Sequence, residues 1–239
     1  MRDLDMEVDA KLHCYAIFNG TAESKPLADF YRLGGNDALP LWRGTPYANW
    51  HEVMPFIADV SELQDFVDWS EREASEDWGM LVTSPLPIAD IFNHFRSLTQ
   101  VWMPNGSHAF FRFYDPNFSI EVATMSDDEQ RSLIMGPCHQ WLSKQREATN
   151  TKPTQVGSDK SFPWWEVPDT VVRKLSEKDK SVLIANSVKW LRENHADLYF
   201  SLPEPATKAK VARLVAKHKA EFGSLNSYIK NALDKEVYR

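Results

Sequence analysis

The sequence predicts an α+β fold: a mixed β-sheet lobe with packed helices, followed by a helical lobe. Three observations carry this reading. Over the first ~140 residues short apolar runs alternate with helical periodicity, the pattern of a sheet carrying helices rather than a bundle or sandwich. Asn105-Gly106 stands between two apolar runs, the strongest short-range hairpin signal. Past residue 164 the apolar residues recur at helical spacing. The expected organisation is an α/β lobe at 1–147, a linker or exposed loop at 148–163 and a helical lobe at 164–239.

The elements follow in order. Leu12 to Phe18 is an apolar, aromatic run ending at Asn19-Gly20, which reads as a buried strand and a turn. A helix is expected over 22–33, and a long connection pinned by Trp42, Tyr47 and Trp50 over 34–55. Leu63, Phe66, Val67 and Ser70 give helical spacing to 61–74, with Ser61 as cap. Gly79 to Ser84 reads as a strand, and Ser84-Pro85-Leu86-Pro87 opens a helix whose Ile88, Ile91, Phe92, Phe95 and Leu98 face one way. The hairpin strands are 99–103 and 107–114, and 126–135 is a helix stopped by Gly136-Pro137. Residues 148–161 are polar and without apolar period, which makes them a linker. Helices are then expected over 176–198, with Ser176 and Asp179 as a capping pair, over 206–222, and from the cap Ser224 to Leu233.

Composition narrows the function. The chain has 239 residues, with nine Trp, thirteen Phe and seven Tyr, ample bulk for a core or for contacts. Its net charge is −7; residues 200–239 hold eight basic and four acidic groups, so they carry +4 and the rest −11. An acidic body argues against nucleic acid, which is bound by clustered Lys and Arg. The basic tail reads most simply as the solvated face of a helix. From Asp59 to Asp77 eight acids meet only Arg72, either a solvated helix face or a patch that docks a basic partner. Cys14 and Cys138 form no disulfide framework and suit a reducing compartment. The first ten residues are acidic without an apolar run, and no later stretch is long enough to span a bilayer. A cytoplasmic protein with no membrane association is expected.

Chemistry-bearing motifs are sparse. No zinc-protease, nucleophile-elbow, dinucleotide or phosphate-loop pattern occurs, so no catalytic residue, metal or cofactor is expected. His94 and His108 could face each other from helix and strand, and Cys138 beside His139 leaves a small cysteine hydrolase as an alternative. The densest stretch is Phe110 to Pro116. Read as a strand, it puts Phe110, Arg112 and Tyr114 on one face and Phe111, Phe113 and Asp115 on the other. Arg112 and Asp115 then either build an architectural corner or form a recognition spot, since Arg and aromatic rings dominate interface energetics. The candidate protein-binding residues are Trp42, Trp50, Trp78, Arg112, Tyr114 and Asp115.

The order of Tyr15-Ala16-Ile17-Phe18, Leu41-Trp42-Arg43-Gly44-Thr45, Met54-Pro55-Phe56-Ile57, Trp78-Gly79-Met80-Leu81-Val82, Phe111 to Pro116 and Met135-Gly136-Pro137 resembles a known family across residues 12 to 137. It is that of the effector adaptors, or effector chaperones, of bacterial type VI secretion systems, the Tap or Tec adaptors catalogued as a domain of unknown function. Asn19 stands where that family commonly has Asp, and Asn117 where Arg is frequent. The resemblance implies a protein without catalytic activity that binds a toxic effector through an N-terminal or linker segment, keeps it competent and helps load it on the VgrG spike. Its two lobes would form a groove for the effector segment, and the helical lobe would vary with the cargo. A structural scaffold component of the secretion apparatus is the remaining alternative.

Overall fold

The computed structural model describes residues 12–154 and 160–238. The acidic first ten residues and part of the expected linker lie outside them. The chain divides into two compact units, one ending at Val172 and the other starting at Arg173.

In the first unit the chain runs β1 (His13–Phe18), α1 (Pro26–Arg32), β2 (Leu39–Pro40), β3 (Phe56–Asp59), α2 (Gln64–Arg72), β4 (Gly79–Ser84) and α3 (Ile88–Ser97). It continues through β5 (Gln100–Trp102), β6 (His108–Phe110), α4 (Pro116–Met125), α5 (Asp128–Met135), β7 (Gln140–Leu142) and β8 (Glu147–Thr149). Six strands form one sheet in the order β2-β3-β1-β4-β7-β8, and all its ladders are antiparallel. The α+β architecture is as expected. The hairpin β5/β6 forms as its Asn-Gly turn predicts, but as a separate two-stranded sheet.

Strand alternation sorts the core into two faces. Ala16 and Phe18 of β1 and Leu81 of β4 point to the side where Phe30 of α1 and Phe66 and Trp69 of α2 close a core with Trp78. Phe18, Phe30, Phe66 and Trp78 meet mostly edge to face, at centroid distances of 5.3 to 6.1 Å. Burying each such ring contributes roughly 2–3 kcal/mol. Tyr15, Ile17, Met80 and Val82 alternate to the opposite face. There Phe95 of α3 meets Trp141 of β7 and Phe113, and Ser119 of α4 reaches the Met80 sulfur. The central strands are therefore covered on both sides.

Several boundaries differ from expectation for local reasons. α1 starts at Pro26, not at 22, because Lys25 before it takes a left-handed φ of 50° and Pro26 fits the first turn. Ser61 does not cap α2; its Oγ accepts from the Cys14 backbone N–H at 3.0 Å and ties β1 to the end of β3. The long connection 34–55 contains β2, and β3 follows it directly. The second hairpin strand stops at Phe110, so the two-faced strand expected from Phe110 to Asp115 does not exist. Instead Phe113 N–H donates to Phe111 O and Asp115 N–H to Arg112 O, and the turned chain enters α4. Asp115-Pro116 opens a helix: the Asp115 carboxylate accepts from Asn117 N–H at 3.1 Å. α5 ends as expected before Gly136, which has φ 54°, but starts two residues later than expected, with Asp127 as its cap.

The stretch expected to be a linker starts inside β8. Ala148 is buried there, and the buried Asn150 donates to Gly136 O and Cys138 O. Trp102 pairs on its open side with Trp165 and Val167 through backbone hydrogen bonds of 2.8 and 2.9 Å.

α6 (Asp169–Lys178) contains the division between the units. The second unit continues with α7 (Ser181–Asn194), α8 (Ala196–Phe200), α9 (Glu204–Lys217) and α10 (Leu225–Val237). The single helix expected over 176–198 is thus three pieces. Ser176 lies within α6, while the Asp179 carboxylate accepts from Ser181 N–H at the start of α7. Ser224 caps α10 as expected, accepting from Ser227 N–H, and the helix runs on to Val237. Leu191, Leu198, Val211, Val215, Ile229 and Leu233 form this unit's own core. Among the described residues no helix is long and apolar enough to cross a membrane.

Candidate functional site: an aromatic surface on the first unit

The connection between β2 and β3 is held in place by its own backbone. Leu41 N–H donates to Pro55 O, and Thr45 Oγ1 both donates to Trp42 O and accepts from Tyr47 N–H. Gly44 supplies the left-handed φ of 77° that turns the chain. Trp42, Tyr47 and Trp50 thereby gather against the end of the β5/β6 hairpin.

Trp42 is the hub, 2% exposed, with Tyr47, Trp50, Phe110 and Tyr114 at 6.0 to 6.2 Å around it. Trp50 and Phe110, 47% and 39% exposed, stack at 5.4 Å on the outside, and Tyr47 packs on Phe110 at 4.7 Å. Gln100 fixes Tyr47 by donating to its hydroxyl at 2.7 Å. The result is a solvent-facing pair of rings backed by a buried tryptophan.

The expected residues separate accordingly. Trp42, Trp50 and Tyr114 come together, whereas Trp78, 1% exposed, belongs to the core on the α1/α2 face of the sheet. Of the three tryptophans only Trp50 presents its ring to solvent; Trp42 and Trp78 are buried. Burial pushes the Tyr114 phenol above its ordinary range. Phe110, the partner of Trp50, was not among the expected contact residues. Its signal was present in the aromatic run, but the tertiary stacking that exposes one ring and buries the next is not local.

Arg112 and Asp115 adjoin this cluster through Tyr114. Arg112 donates to Asp115 Oδ2 at 2.7 Å while remaining half exposed. Asp115 thus both caps α4 and pairs with Arg112. Asp115→Ala should cost about 1–2 kcal/mol through the lost cap, whereas Arg112→Ala, removing only a half-exposed ion pair, should cost under about 1 kcal/mol. Urea unfolding of both, with Asp115→Asn as the variant that keeps the cap, checks this ordering.

Beside the rings, Tyr47 also approaches Phe162 at 6.2 Å, and Phe162 borders a cleft of about 290 Å³. Arg96 and Lys160 line it without an acid among its lining residues. Each cation lies over a ring, Lys160 on Trp164 at 3.8 Å and Arg96 on Phe92 at 5.3 Å. The surface therefore offers flat apolar contact flanked by positive charge.

The remaining candidates behave differently. Cys138 is wholly buried, and desolvation pushes its thiol up to about 12, opposite to what a nucleophile needs. His94 and His108 do not meet: His94 is buried with Nε2 2.9 Å from Ile134 O, and exposed His108 packs on Trp102. Asn19 is built into the turn after β1, donating to Asp77 O at 2.8 Å and accepting from Thr21 at 2.7 and 2.9 Å; a carboxylate could not make the first bond. On α9, Lys208 pairs with Glu204 one turn away, as on a solvated helix face, while Lys210 reaches across to Glu236 of α10. Among the described residues no group of three or more His, Cys, Asp or Glu could hold a metal.

A family model described as a domain of unknown function (DUF4123) matches residues 14–133, half of the chain. The chain belongs to the DUF4123 family. No curated protein and no solved structure matches it. The DUF4123 stretch covers β1 through most of α5, and so contains the turn that carries Trp42, Tyr47 and Trp50, the hairpin with Phe110, and the Arg112–Asp115 corner.

Proposed function

We propose that this DUF4123 protein is an adaptor: in the cytoplasm it holds a toxic effector of a type VI secretion system and promotes its loading on the VgrG spike, transforming no substrate itself. The observation that carries the reading is the exposed Trp50–Phe110 stack, backed by buried Trp42, within the stretch that matches the family. Rings of this kind, half exposed and rigidly supported, contribute most of the energy at protein interfaces, because they are ordered before binding and lose a large wetted area on contact. The family match supports the same reading. Buried Cys138, with its raised thiol pKa, gives the cysteine hydrolase no footing.

The test is co-purification of the chain with the toxin and VgrG proteins of the type VI secretion system of the same cell. Wild-type protein should retain the toxin. The double variant Trp50→Ala, Phe110→Ala should lose about thirtyfold in affinity, the scale of one strong hot spot, with its circular dichroism spectrum unchanged at the temperature of the binding assay. Undiminished capture by the double variant would remove the aromatic surface from the reading, and capture of neither protein would remove the adaptor role.

A further inference from the structure

The helical unit carries a concave surface of its own. Along α7, Ser181, Ala185, Val188 and Arg192 fall on one stripe at helical spacing, with Ile184 beside them. Glu204 and Lys208 of α9 form the facing wall, and Tyr199 of α8 contributes to the lining. The groove encloses about 470 Å³, inside the ~300–1,000 Å³ span of sites that hold a ligand. Val188 and Tyr199 are buried in the unit's core, which fixes the floor, while the small exposed Ala185 leaves the hollow open.

Its rim carries a net positive charge. Lys208 pairs with Glu204 at 2.8 Å, and that contact, with a smaller contribution from the nearby Arg192 charge, holds the Glu204 carboxyl below its ordinary range, so a single carboxylate faces several cations. Lys189 and Arg192, three residues apart on α7, make no salt bridge among the described residues. A segment that docks here meets an apolar floor between helices whose backbone groups are already bonded internally. It must satisfy its own backbone, as a helix does.

We infer that this groove takes an acidic amphipathic helix of a partner protein, its apolar face on Ile184, Ala185 and Val188 and its carboxylates on Lys189 and Arg192. The identity of that partner as a client rests on the adaptor reading; the groove's chemistry does not.

The probe is a synthetic helix-prone peptide of about 16 residues, capped at both ends, with Leu at i, i+3, i+4 and i+7 and Glu around them. Binding to the full-length protein is followed by fluorescence anisotropy. Saturable binding is expected, weakening as salt rises. The charge reversal Lys189→Glu, Arg192→Glu should weaken it about tenfold or more and favour the analogue with Lys in place of Glu. Ala185→Trp, which fills the hollow from an exposed helix position, should abolish it with unchanged circular dichroism. Absence of saturable binding, equal binding of the Lys analogue to wild type, or indifference to Ala185→Trp overturns the inference. Self-association of the chain that Ala185→Trp abolishes overturns it too, since the occupant is then a second copy. Absence of peptide binding by the wild type with toxin capture intact rejects the groove alone; peptide binding by the wild type without toxin capture rejects the adaptor reading alone.

Discussion

Gly79→Ala is expected to remove a large part of the protein's folding free energy. Gly79 opens β4 opposite Phe18 of β1 with φ at 137°, and an added Cβ would sit 2.0 Å from Ile17 O and 3.1 Å from Phe18 Cα. Both are backbone atoms of the strand locked between β3 and β4, so neither can retreat without breaking a ladder. Strain and collision together should exceed about 4 kcal/mol, against the roughly 5–15 kcal/mol that holds a typical domain folded. Gly106 is the internal control. It too has a positive φ, 78° at the hairpin tip, but its added Cβ would meet nothing within 4 Å. Gly106→Ala should therefore cost only about 1–2 kcal/mol. Urea unfolding of the two variants decides the matter: equal losses would mean that the close approach of β4 to β1 carries no weight.

The second large effect is acid sensitivity through His94. Its ring is fully buried on α3; Nε2 lies 2.9 Å from Ile134 O, and Nδ1 has no hydrogen-bond partner among the described residues. Room for the ring exists because residue 136 is glycine: a Cβ there would lie 2.3 Å from His94 Cε1. Desolvation pulls the imidazole from 6.5 down to about 4. Between those values the unfolded chain holds a proton that the folded one refuses, so stability is complete above about pH 6.5 and falls as the pH drops towards 4. The full loss is about 3 kcal/mol. Carboxylates titrate in part of the same window, so the measurement is the difference in unfolding free energy between wild type and His94→Gln from pH 7.5 to 4. That difference should shrink on acidification; a pH-independent difference would show that His94 takes up its proton equally in the folded and unfolded states, so that burial does not shift it.

The elements legible in the sequence are those whose signal is local. β1, β4 and the helical set on α3 announce themselves by period, the β5/β6 hairpin by Asn-Gly and α5 by Asp127 and Gly136. β3, β7 and β8 have three or four residues each, too few for alternation to register, and their strand character comes from the neighbours they pair with. α4 is instructive in another way. Asp115-Pro116 is a helix-opening pair, yet the aromatic run before it imitates a strand, and the two-faced reading of Arg112 followed from that imitation. The tryptophans show where local reasoning ends. Trp42 and Trp50 sit in the same loop with similar surroundings in sequence, and only the hairpin folding over them makes one a buried support and the other a surface ring.

At the β2 end of the sheet only Leu39 and Pro40 pair with β3, Pro40 has no amide hydrogen, and the Leu41 amide is spent on Pro55. A loosely folded polypeptide arriving there finds hardly any template to zip onto. On that flank the sheet is thereby spared from templating the aggregation of other chains, and recognition there falls to the shape and charge of side chains rather than to indiscriminate main-chain pairing.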